Sequence, residues 1–164
     1  MLDIRTKDYT SAKLMFAPNV TSVSVQDVDF YRMVTDALLA LSNAYERQDI
    51  GAFSRLISRD FLGNKTFLEE GVRFDFDMFT DMQLKIYINR IENNSGLYIA
   101  DTRWDKSQLP RKTGQTQKTS GRTTIAFVME DNVLKIHNLR GDLLYATLSV
   151  EIAGSSGLSQ TIID

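Results

Sequence analysis

The chain is predicted to fold as an α+β domain, three helices followed by about four antiparallel strands. Two observations predict this order. Apolar residues recur at helical spacing through the first half, and they alternate with polar ones through the second, where turn residues divide the chain into hairpins. A content of 43% hydrophobic and 24% charged residues over 164 positions is that of a single folded domain.

From Val28, the residues Tyr31, Val34, Leu38, Leu41 and Tyr45 recur at steps of 3, 4, 3 and 4, which predicts a helix over 28–47. Asp27 or Asp29 can cap its start by accepting a hydrogen bond from a free backbone N–H. Asp49 is placed to cap a second, shorter helix whose stripe is Ala52, Phe53, Leu56 and Ile57, ending at Ser58-Arg59-Asp60. Leu68, Val72, Phe76 and Phe79 then predict a third helix over 65–80. Gly71 weakens it by about 1 kcal/mol relative to alanine.

After Asp81 the period becomes two. Leu84, Ile86 and Ile88 alternate with Lys85, Tyr87 and Asn89; Asn93-Asn94-Ser95-Gly96 supplies a turn; Leu97 and Ile99 resume the pattern. The stretch from Lys106 to Gly121, with Pro110, Gly114 and five Ser or Thr residues, reads as a loop or as the ragged start of a long strand. Thr123 to Glu130 and Val133 to Leu139 flank the turn Asp131-Asn132 as a second hairpin. Gly141-Asp142 breaks it, and residues 143–148 are expected to continue at the sheet edge. The chain divides into an N-terminal extension, 1–26, a domain over 27–148 and a linker-like tail, 149–164, rich in Gly and Ser.

Composition narrows the chemistry. Nineteen Lys and Arg against 21 Asp and Glu leave a net charge of -2, so no overall field draws in nucleic acid. The absence of cysteine and the single histidine exclude disulfides, thiolate sites and multi-histidine metal cages, and no cofactor or metal is expected. No apolar run approaches the roughly 18 to 20 residues of a membrane span. Asp3, Arg5, Lys7, Asp8 and Lys13 interrupt the first 20 residues, where no secretory signal is read.

Few residue types are left to carry chemistry. His137 is the one side chain that titrates near neutrality unperturbed, but its strand pattern sets it with Lys135, opposite Leu134 and Ile136, and so toward water. Asp75 and Asp77 would share a face on a strand and splay about 200° apart on a helix. The third-helix assignment therefore separates them. Trp104, in Arg103-Trp104-Asp105, is either a partner anchor or a cap on the core. Arg111, Lys112, Lys118 and Arg122 make the 106–122 segment cationic without the interleaved aromatics of a single-strand binding track.

The segments AYERQDIGAFSRLISRDF, LKIYINRIE, GLYIADTRW, RTTIAFVME and VLKIHNLRGDLLY together resemble the nuclear transport factor 2-like superfamily, the cystatin-like α+β cone, over about 27–148. The junction from Tyr45 to Asp49, with Phe53 and Phe61 after it, is the most telling piece. The resemblance implies three helices packed in the concave face of a strongly bent antiparallel sheet, leaving a conical cavity. It implies Tyr31, Tyr45, Asp101, Trp104 and His137 as cavity-lining candidates. In relatives similar to ketosteroid isomerase or scytalone dehydratase, the cone holds carboxylates, a tyrosine and sometimes a histidine.

The expectation is a non-catalytic module, bacterial in style, that binds a small apolar ligand or pairs with a second copy through its sheet face. The linker-like ends fit a piece of a longer extracytoplasmic protein. The alternative is a cofactor-independent isomerase, dehydratase or cyclase acting in the cavity. A cavity carboxylate bonded to Tyr31 or Tyr45, with room for a substrate, would favour the enzyme.

Overall fold

The computed structural model describes residues 25–145, so the expected extension up to residue 24, the tail and positions 146–148 lie outside the described residues. The elements are α1 (Val25–Glu46), α2 (Ile50–Leu56), α3 (Lys65–Met78), β1 (Phe79–Asn94), β2 (Leu97–Pro110), β3 (Gln117–Glu130) and β4 (Val133–Gly141). The three-helix, four-strand order is the predicted one.

Helix α1 begins three residues before the expected start. Neither Gly nor Pro interrupts residues 25–27, so the helix runs past the acids expected to cap it. Its inner face is Val34, Leu38, Leu41 and Tyr45, all buried. Tyr31 departs from the expected stripe: it is 52% exposed, and Phe30 turns inward instead, its ring 6.0 Å from that of Tyr98. Asp49 caps α2 as expected, its Oδ1 accepting from the Ala52 N–H at 2.8 Å. Asn64 caps α3 in the same way through Phe67 N–H at 2.9 Å.

The sheet is an antiparallel meander in the order β1-β2-β3-β4. Both hairpins turn on residues with positive φ, Ser95 and Gly96 in the first and Asp131 and Asn132 in the second, which matches the strand twist. Register shifts at Thr80/Gln83, Ile88/Arg90 and Ala126/Phe127 bend the strands so that the sheet wraps the helices. The free edge of β4 is covered by the chain after α2: Ile57 bridges to Ile136, and the Ser58 and Leu62 N–H groups donate to the Ile136 and His137 carbonyls at 2.9 and 2.7 Å. Ser58 and Arg59 then clasp Glu130 at the second hairpin.

Two expectations are corrected here. The polar stretch 106–121 is strand at both ends: β2 runs on to Pro110, where a loop or a later strand start was expected, while β3 starts at Gln117, in keeping with the ragged start of a long strand. Lys106, Gln108 and Gly121 keep the inward register set by Trp104 and Thr123, and that register outweighs the loop-like composition. Residues 143–145 do not continue the sheet edge. Gly141, at φ +110, turns the chain off β4, and Asp142 ties it to β3 through Arg122 and Thr123 before Leu144 and Tyr145 enter the interior.

Candidate functional site

The cone interior holds a polar cluster that sequence reasoning did not assemble. On α3, Asp75 stands seven residues after Leu68 and three after Val72, on the apolar stripe, and it is fully buried while Asp77 faces water. The helix thus separates the two carboxylates, as the spacing requires. On β2, alternation from Thr102 and Trp104 carries Lys106 inward, where it is 1% exposed. On α1, Tyr45 closes the inner stripe with no exposure.

These three side chains meet. Tyr45 Oη donates to Asp75 Oδ2 at 2.6 Å, and Lys106 Nζ lies 3.6 Å from the same oxygen. Lys106 Nζ also donates to Tyr45 Oη at 3.3 Å and to the Leu144 carbonyl at 3.0 Å. Aromatic rings surround the cluster: Tyr45 packs on Phe76 at 5.6 Å and on Tyr145 at 5.4 Å, and Phe53 meets Tyr145 edge-on at 5.1 Å. Burial first, and the Asp75 carboxylate second, hold the Tyr45 and Tyr145 phenols far above the ordinary tyrosine range. Both phenols stay neutral.

Space is the missing ingredient. The cavity beside Tyr145, lined by Leu68, Thr123, Leu139 and Leu144 among others, measures about 30 Å³, the volume of roughly one water molecule. Leu144 and Tyr145, delivered by the turn at Gly141, fill the place next to Lys106.

The sequence-derived candidates scatter. Tyr45 belongs to the cluster. Trp104 is buried in the core, its Nε1–H donating to Thr123 Oγ1 at 3.0 Å. Tyr31 stands in solvent, and Asp101 lies on the outward sheet face, held by Thr124 at 2.9 Å and Arg90 at 3.3 Å. His137 occupies the β4 bulge opposite Ala126/Phe127, which makes it half-buried where unbroken alternation would send it to water; its Nδ1 has no partner among the described residues. Asp75 and Lys106 escaped because a charged residue ordinarily reads as surface. Their signal was positional, each standing in step with apolar neighbours.

The outward face of β1 to β3 carries an open groove of about 560 Å³ whose lining includes Lys85, Tyr87, Asp105, Lys118 and Ser120. Among the described residues no cluster of three or more metal-ligating side chains occurs, and no helix is long and apolar enough to cross a membrane.

No protein-family model matches the chain, and no curated protein matches it. Solved structures do. A nuclear transport factor 2-like superfamily protein from Salmonella enterica serovar Typhimurium superposes with a TM-score of 0.61 at 14% identity, covering 70% of this chain and 91% of that one. A putative scytalone dehydratase from Novosphingobium aromaticivorans gives 0.64 at 11% identity, covering 71% and 87%. A type 2 hexachlorocyclohexane dehydrochlorinase gives 0.58 at 13% identity, covering 72% and 87%. With its helices held in the curve of a four-stranded meander and this likeness across most of the described residues, the chain has the nuclear transport factor 2-like fold.

Proposed function

We propose that this chain is a non-catalytic interaction module whose cone is closed by its own residues. One observation carries the reading: Tyr45, Asp75 and Lys106, the interior groups with chemical potential, are sealed behind Leu144 and Tyr145, beside a cavity of about 30 Å³. A ligand site ordinarily offers roughly 300 to 1,000 Å³. The cluster is then a structural clasp. It ties α1, α3, β2 and the segment after β4 to one another.

The competing reading is a cofactor-independent isomerase or dehydratase. It is favoured by the Tyr45 to Asp75 hydrogen bond inside the cone and by likeness to the dehydrochlorinase and the putative scytalone dehydratase. It requires Leu144 and Tyr145 to leave the interior, since they occupy the space a substrate would need.

Lysine acylation followed by mass spectrometry separates the two readings. For a sealed module, Lys85 and Lys118 are modified in the folded protein and Lys106 stays protected until denaturant unfolds the chain. Modification of Lys106 at a rate near that of Lys85, under conditions where the fold persists, would overturn the module and select the enzyme.

A further inference from the structure

The outward side of the sheet is laid out in cross-strand rows. One row is Lys85, Asp105 and Ser120; the next is Tyr87, Arg103 and Arg122. Arg103 stands directly opposite Arg122, and like charges so placed weaken a sheet. Arg103 leans over the Tyr87 ring, 4.5 Å from its centre, with Asp105 3.9 Å away. Lys85, Lys118, Arg122 and Arg140 form no ion pair among the described residues, whereas Asp101 is already engaged by Arg90. In a chain of net charge -2, this face therefore gathers more cations than acids around the groove.

We propose that this groove docks an extended acidic segment of a partner protein. Successive outward rows are two residues apart, about 6.6 to 6.8 Å, which is the distance between alternate side chains of an extended peptide. Acids at every second position would meet Lys118, opposite Ser107, in one row, Lys85 in the next and Arg103 with Arg122 in the one after. That contact sets an acid between the two facing arginines. Tyr87, 41% exposed, offers the bound segment an apolar ledge.

Other occupants fit less well. A second copy would bring the same positive face against itself. A nucleic-acid strand would find Tyr87 as the groove's one aromatic platform, too few for base stacking along a strand. The proposal rests on the module reading but uses the outward face alone, so Lys106 labelling and groove binding can fail independently.

The test is fluorescence anisotropy of a labelled peptide of alternating Glu and Ser, titrated at low ionic strength with the whole chain. Binding should weaken by about tenfold or more in Lys85→Glu with Lys118→Glu, and likewise in Arg122→Glu, while Arg32→Glu on exposed α1 changes it by less than about twofold. If the double reversal fails to keep the native circular dichroism, Lys85→Gln with Lys118→Gln carries the same test. No binding by the wild-type chain, an equal loss in Arg32→Glu, or tighter binding of a single-stranded oligonucleotide of matched charge would each overturn the proposal.

Discussion

Lys106 Nζ lies 3.6 Å from Asp75 Oδ2, and neither side chain reaches solvent. Removing two opposite charges from water costs several kcal/mol for each ion, which their attraction offsets only when the remaining hydrogen-bonding capacity is satisfied. Here Tyr45 and the Leu144 carbonyl help to do so. Asp75→Asn or Lys106→Met alone should cost about 3 to 5 kcal/mol, because each strands the other charge. Asp75→Asn combined with Lys106→Met should cost less than the two single losses added. Urea unfolding of the three variants measures this, and strictly additive losses would show that the pair is not coupled.

Much of this fold was legible in local pattern. The helical steps through Val34, Leu38, Leu41 and Tyr45 and the alternation through Leu84, Ile86 and Ile88 each report one buried face. Two kinds of feature were not. Positions 106–121 look like loop because Lys, Gly and Pro are poor strand formers in isolation; their strand identity comes from pairing, as where Trp104 lies opposite Gly121. The Asp75 to Lys106 contact joins a helix to a strand that no local period relates. The bulge at His137 and the turn at Gly141 are tertiary events of the same kind.

Adjacent leucines on α1 test which face meets the sheet. Leu38 is 4% exposed and Leu39 is 57% exposed. Leu38→Ala should lose about 2 to 5 kcal/mol by opening a cavity, whereas Leu39→Ala should stay within about 0.5 kcal/mol of the wild type. Denaturant unfolding with unchanged slope reads both directly. Equal losses would mean that the helix is rotated from the orientation described.

Gly121 is where β3 passes the indole of Trp104. A Cβ built there would lie 2.5 Å from Trp104 Cζ2 and 2.8 Å from Asp142 Cβ. Gly121→Ala should therefore destabilise by about 1 to 3 kcal/mol through overpacking. Combining it with Trp104→Phe, which withdraws the clashing atom, should recover part of that loss in thermal unfolding. If Gly121→Ala melts at the wild-type temperature, the indole is not packed against this strand.

Two tyrosines in contact make opposite predictions when their hydroxyls are removed. Tyr45 Oη is bonded to Asp75, whereas the buried Tyr145 hydroxyl has no partner among the described residues. Tyr45→Phe should cost about 1.5 to 3 kcal/mol, and Tyr145→Phe should cost nothing or stabilise by up to about 1 kcal/mol, because it removes a desolvated, unpaired group. The same pair sets the alkaline limb of stability. Both phenols are raised above their ordinary value of 10.0 in the folded state, by burial first and by Asp75 second. Above that pH the unfolded chain releases protons that the folded chain retains. Stability is thus fully present below pH 10 and falls above it, by up to about 1.4 kcal/mol per pH unit for each tyrosine. Tyr145→Phe should shallow that fall by one tyrosine's share while leaving stability near neutrality intact. Urea titrations at neutral and alkaline pH would refute this if the wild type and Tyr145→Phe kept parallel profiles.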